Sequence, residues 1–187
     1  MRIDASLPVI LGLLVGLQGL GGTLQSAGWL LAGALLTVGV QATATRLAGA
    51  REIRLHGLGA HASGAEGPAA YLVPLSAPVA SAALGLLVLA PSLEARIVGA
   101  VALAGAALHL LPAWPLGMGE VLWVALRRRV RSPRRITRRS GLLVGGGLCL
   151  IGLTSGAVFV AVVGAVLLVA NRPQRKRTTA LLPGAPA

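Results

Sequence analysis

Long apolar runs bounded by charge or by turn-forming residues organise the chain. A helix needs about 20 apolar residues to cross roughly 30 Å of hydrocarbon, so runs of this length predict membrane-spanning helices. Residues 7–24 and 29–47 flank the polar stretch Gln25, Ser26, Ala27, Gly28 and predict a helical hairpin ending among Arg46, Arg51 and Arg54. The first run lacks a strongly basic leader and a small-residue cleavage site, so it is expected to be a retained helix and not a signal peptide. Residues 51–56 then alternate polar and apolar side chains, with Ile53 and Leu55 on one side and His56 at the end, and predict a short strand. Residues 57–68, rich in Gly, Ala and Ser, predict a loop.

The third span is residues 71–90, with Pro74 and Pro78 in its first turns, where missing backbone donors are tolerated best. Residues 97–126 carry a single charge, Glu120, and exceed the length of one crossing. Pro112 and Pro115 cannot donate backbone hydrogen bonds, so this fourth span is predicted to be discontinuous, broken over 112–117. Unwound backbone at membrane depth survives only where protein or a cavity satisfies it, which makes the break the best pointer to a site. Residues 141–170 are again apolar, with Gly152, Thr154, Ser155 and Gly156 in the middle. They read as one span or as a hairpin of two short arms, 141–155 and 157–170, and charge favours the hairpin because it returns the basic tail to the side of the preceding basic loop.

The pattern predicts an all-α integral membrane protein of about six transmembrane helices, the fourth discontinuous, with a short strand and loop after the second. Residues 1–172 form one polytopic membrane domain, and 173–187 form a basic, disordered cytoplasmic tail. Composition agrees: 55% of residues are hydrophobic and 12% charged, against about 25% charged in an average soluble domain. The net charge of +12 is concentrated, with eight arginines from Arg127 to Arg139 and Arg172, Arg175, Lys176 and Arg177 in the tail. Six spans with both termini in the cytoplasm place 16 of the 17 basic residues inside and leave Arg96 outside. Such clustering follows the positive-inside rule, and no nucleic acid partner is expected. The partners expected are membrane lipids, with anionic headgroups at Arg127 to Arg139, and a membrane-protein or peptide partner. Cys149, the sole cysteine, excludes an intramolecular disulfide and cysteine-based zinc motifs.

Polar residues inside apolar spans are costly and therefore candidates for function. Gln18, Thr37, Gln41, Thr43, Thr45, His109, Glu120 and Thr154 are the main ones, and only His109 and Glu120 are ionisable. Glu120 also reads as a residue near the cytoplasmic interface paired with Arg127 or a neighbour one or two turns on. His56 and His61 stand five apart with intervening glycines, which is not the four-residue spacing that puts two ligands on one helical face. No Gly-rich phosphate loop and no plausible Ser/His/Asp set is present.

The stretch LHLLPAWPLGMGEVLWVAL over residues 108–126 resembles the N-L-L-P-x-x-P-L-D-G-G-R segment of site-2 proteases, the intramembrane zinc metalloproteases. APVASAALGLLVLA over 77–90 resembles that family's A-G-P-x-A/S run, and the likeness extends from about Gly28 to Leu126. In the family, two histidines and a glutamate of H-E-L-G-H and the aspartate of L-D-G form the zinc site. Matching TRLAGAREI to the family's A-R-x-L-G-A run puts the histidines at Thr37 and Gln41 and the glutamate at Val38, and the segment over 108–126 puts the aspartate at Gly117. His109 replaces an asparagine, Met118 a glycine and Glu120 an arginine.

This resemblance implies a degenerate member in the bacterial inner membrane, with no catalytic residues, no metal ligands and no cofactor. It implies a pseudoprotease that binds a transmembrane or extended peptide partner, the latter by strand addition near residues 51–61. Binding candidates are His109, Pro112, Trp114, Pro115 and Glu120 around the break, and Ile53, Leu55 and His56 on the strand. The alternatives are an active intramembrane metalloprotease with unconventional ligands, and a small transporter or channel.

Overall fold

A computed structural model of the chain describes residues 2–3, 24–56, 59–63, 67–127 and 129–172. The expected first span, up to residue 23, and the tail from 173 lie outside the described residues. Six helices are found among those described: α1 (Leu24–Leu47), α2 (Ala69–Gly85, continued by a 3-10 turn Leu86–Leu89), α3 (Leu93–His109), α4 (Gly117–Leu126), α5 (Pro133–Thr154) and α6 (Val158–Ala170). Three of them are long and apolar enough to cross a membrane, over Gln25–Leu47, Ala69–Leu89 and Pro133–Thr154. The exterior matches this reading. Leu35, Leu36, Leu72, Val79, Leu143 and Leu153 point outward, while small residues such as Ala77, Ala102, Ala106 and Ala113 fill the interior. Large apolar groups outside and small ones between helices is the arrangement that a lipid solvent favours.

The strand predicted after the second span is β2 (Glu52–His56), but two pairings were not foreseen. β1 (Arg2–Ile3) lies parallel to β2, with Arg2 opposite Arg54 and Ile3 opposite Leu55. β3 (Gly59–Ser63) falls in the segment expected to be loop and pairs antiparallel with β2, from Glu52 opposite Ser63 to His56 opposite Gly59. Its sequence, GAHAS, has weak strand propensity; partner pairing and burial of Ala60 beside Ile53, Leu55 and Val73 decide its conformation instead. The order is β1-β2-β3, so among the described residues β3 is an edge strand.

Two boundaries also move. α1 already includes Gln25 to Gly28, read above as a turn, because Gln and Ser cost only a few tenths of a kcal/mol in a helix and no proline stops it. α5 begins at Pro133, so Arg134, Arg135, Arg138 and Arg139 are helical and not part of a loop. Proline suits the first helical position, and arginine is a good helix former.

The discontinuity of the fourth span is real. α3 ends at His109 and α4 starts at Gly117, with a cis Trp114–Pro115 peptide between them. This break is packed and braced by the α5–α6 hairpin. Ala113 and Leu116 are fully buried against Val163 and Leu167. Ser140 on α5 donates to the Pro112 carbonyl at 2.6 Å, and Asn171, just past α6, donates to the Trp114 carbonyl at 2.6 Å. A methyl on Gly141 would strike the Asn171 amide. The hairpin itself depends on close backbone approach: Gly152 faces the Ala161 backbone, and a Cβ on Gly164 would come within 2.5 Å of the Cys149 nitrogen.

Gly152→Val is therefore expected to destabilise the protein by about 1–3 kcal/mol through overpacking, whereas Gly147→Ala, which meets open space, is expected to be neutral or stabilising; thermal unfolding in detergent compares the two. Asn171→Leu leaves the Trp114 carbonyl without its donor. It is expected to cost about 1–3 kcal/mol and to speed amide exchange over residues 110–116, read by mass spectrometry.

Candidate functional site

Most of the buried polar side chains gather where α1, α2, α3 and the start of α4 meet. Thr37, Gln41 and Thr45 lie on one face of α1 at four-residue spacing, and all three are buried. α3 presents Gly105 to them: a Cβ there would sit 3.2 Å from the Thr37 methyl and 3.7 Å from Gln41 Nε2. His109, one turn further along α3, is 1% exposed. Glycine at 105 lets α3 approach α1 closely enough for these groups to share one interior.

Thr37, Gln41 and Thr45 each have a partner inside the protein. Thr37 and Thr45 donate back to the carbonyls of Gly33 and Gln41, at 2.7 and 2.6 Å. The Gln41 amide reaches further. Its Nε2 donates to Ser81 Oγ on α2 at 2.7 Å, and its Oε1 accepts the N–H of Ala60 on β3 at 3.1 Å. Val38, between them, is half-buried and packs on the apolar cluster of Ile53, Leu55, Ala60 and Val73.

At the break, the Gly117 N–H is donated to His109 Nδ1 at 3.3 Å, which places the proton of a neutral ring on Nε2. Gly117 also lies hard against α2. A Cβ at this position would come within 2.5 Å of the Pro74 carbonyl oxygen, far closer than real side chains approach. Glu120 is buried in the first turn of α4, where the helix dipole favours a carboxylate. Arg127, expected as its interfacial partner, caps the far end of α4 with its guanidinium over the Trp123 ring, 5.7 Å from the centroid.

His109 and Glu120 thus sit inside, around the break. Pro112 is exposed and Trp114 and Pro115 are half-buried; the Pro112 and Trp114 carbonyls are held by α5 and by Asn171, as described above. Ile53 and Leu55 are buried core side chains. The side chains of His56 and His61 lie outside the described residues. Among the described residues, no three His, Cys, Asp or Glu side chains come together as a metal-binding group.

Sequence reasoning missed Ser81, Gly105, Ser140 and Asn171. A serine within an alanine-rich helix reads as packing, and only its pairing with Gln41 gives it meaning. Asn171 carried a usable signal: it is the one amide residue at the end of the last apolar run, directly before the basic tail.

No protein-family model and no curated protein matches this chain. Among solved structures it is similar to the site-2 protease from Methanocaldococcus jannaschii, with a TM-score of 0.76 and 16% sequence identity, covering 90% of this chain and 87% of that one. The scaffold expected from the PAWPLG segment is the one observed, and the chain has the fold of a site-2 protease.

Proposed function

We propose that this membrane protein uses a site-2 protease scaffold to bind a transmembrane or extended peptide partner without cutting it. The observation that carries this reading is Gly117. The resemblance puts the family's aspartate ligand at this position, yet the space a side chain would need is filled by the Pro74 carbonyl. The other matched positions suit zinc no better. Thr37 and Gln41 offer a hydroxyl and an amide, poor competitors with water for the ion, and both are engaged in hydrogen bonds within the protein. Val38, at the position of the family's glutamate, cannot accept a proton from water. The residues present do not fit a zinc centre, and no step of hydrolysis is derived through one.

Peptide binding is supported by the retained strand region. β3 is an edge strand, and edges of this kind take up extended segments by backbone pairing. The protein is assigned to a bacterial inner membrane with its arginine-rich turn between α4 and α5 on the cytoplasmic side, where basic residues near the surface attract anionic headgroups by roughly 1 kcal/mol each.

The full chain, purified in lipid nanodiscs, is expected to hold substoichiometric zinc by elemental analysis. It should bind a fluorescein-labelled apolar peptide saturably, by anisotropy, and leave it intact. Stoichiometric zinc that is lost in His109→Ala, together with chelator-sensitive cleavage of the peptide, would overturn the reading in favour of a metalloprotease with unconventional ligands. Orientation is checked separately. In a Cys149→Ser background, Ser92→Cys, between α2 and α3, is expected to react with an impermeant thiol reagent on intact cells, and Ser132→Cys, before α5, is not; the reverse pattern inverts the topology.

A further inference from the structure

We propose that the outer face of the sheet, which carries Arg54 with Arg2 and His61 at the paired register positions, is a docking surface for anionic lipid headgroups. This contact is separate from the arginine-rich turn between α4 and α5, and it does not depend on whether the protein binds a peptide.

Register and burial define the face. Successive residues of a strand point to opposite sides. In β2 the buried Ile53 and Leu55 take one side, while Arg54, its side chain 54% exposed, takes the other. Arg2 on β1 and His61 on β3 both stand opposite Arg54, so the three residues occupy one row across the sheet. Glu52 shares the side of Arg54 and is the one acidic residue within the three strands. The charges do not cancel. Arginines placed directly opposite one another repel unless a counter-charge lies between them. Arg54 Nε and Nη2 each reach Glu52 Oε1 only at 3.4 Å, and an exposed ion pair of this kind holds its partners weakly. One carboxylate thus stands against Arg2, Arg54 and the exposed Arg51 beside them. Arg46, at the end of α1, adds a further positive charge while donating to the carbonyls of Ala50 and Arg51, each at 3.2 Å.

The position of the sheet selects the partner. The apolar stretch of α1 closes at Leu47, itself an exposed leucine, so the last turns of α1 lie where hydrocarbon gives way to headgroups. The sheet lies beside these turns and not beyond them, because its buried side packs on Val38 and Ala42 of α1. From Val38 to Leu47 the helix rises about 14 Å, whereas the headgroup layer on each side of a bilayer is about 5–8 Å thick. The charged side of the sheet is therefore held at the level of the membrane surface. A lipid phosphate at that level meets guanidinium groups whose paired N–H donors match its oxygens, on stems apolar enough to lie along the boundary. An acidic protein segment would have to enter the headgroup layer to reach the same row.

The test uses the full chain in nanodiscs of mixed phosphatidylcholine and phosphatidylglycerol, with one lipid or the other carrying a diazirine at the top of its acyl chain and crosslinks mapped by mass spectrometry. The phosphatidylglycerol probe is expected to label residues 51–63 more than the phosphatidylcholine probe does, and less as salt rises. Arg54→Gln is expected to lower that labelling about fivefold, the factor that one basic residue near the surface contributes, and Arg54→Lys to retain most of it. Arg2→Gln adds to the loss, and labelling near residues 134–139 stays unchanged in all three variants. Equal labelling of 51–63 by the two probes overturns the proposal, as does labelling that neither Arg54→Gln nor Arg2→Gln reduces. Loss of labelling in inorganic phosphate, but not in chloride of the same ionic strength, assigns the row to free phosphate and overturns the lipid as its source. If neither lipid labels the strands while a polyglutamate peptide bearing a benzophenone does, the face is a protein contact and the proposal falls. Arg54 is exposed, so Arg54→Gln is expected to fold; should it not, Arg2→Gln carries the comparison, and unchanged labelling there overturns the proposal.

Discussion

A helix that breaks off leaves carbonyls without their usual donors, and much of this structure follows from providing for those of residues 110–116. Residues 110–116 satisfy part of their backbone internally, Ala113 donating to Leu111 and Leu116 to Ala113. The carbonyls of Pro112 and Trp114 are met from elsewhere, by Ser140 and Asn171. This places two demands on the α5–α6 hairpin. It must carry donors at the right height, and it must come close, which is why glycine stands at 141, 145 and 152 where any side chain would meet Asn171 or α6. A carbonyl left unmatched away from water costs about 1–3 kcal/mol, more than most single packing contacts contribute. The hairpin is thus a structural requirement of the break.

The break in turn creates the interior site. By ending α3 at His109 and restarting at Gly117, the chain aims the first N–H groups of α4 back into the bundle, and His109 Nδ1 takes the one from Gly117. A continuous helix would have bonded that N–H to a carbonyl one turn earlier and left the imidazole without this donor. Polar residues on α1, α2, α3 and α4 are brought together because each helix contributes a small residue at its crossing, with Gly105 against α1 and Gly117 against Pro74 of α2.

How much of this was legible depended on whether the signal was local. Pro112 and Pro115 announce the break because a missing N–H acts on the residue's own helix, and the apolar runs announce the spans because length and hydropathy need no partner. β3 could not be read, since GAHAS becomes a strand only through its register with β2. The start of α5 was hidden for another reason. A dense run of arginines satisfies both a cytoplasmic loop and the exposed turns of a helix, and only the proline at its first position separates the two. Thr37 and Gln41 were visible as costly polar groups, but their meaning lay in Ser81 and Ala60, which are 40 and 19 residues from Gln41 in sequence.

Gln41 and Gly117 stand at positions that the resemblance matches to metal ligands, and both are taken up by packing and hydrogen bonds. An ion-binding site needs lone pairs directed into a space that the protein leaves open, and holding such groups apart from one another is a cost borne by the fold. Here the corresponding positions are turned to cohesion. The amide of Gln41 joins α1 to both α2 and β3, and the bare backbone of Gly117 lets α4 rest on α2 and on His109. Restoring ligands would mean undoing these contacts, with the Pro74 carbonyl displaced and the Ala60 N–H left to find another acceptor. The scaffold is therefore stabilised by the same residues that stand where the metal site would be.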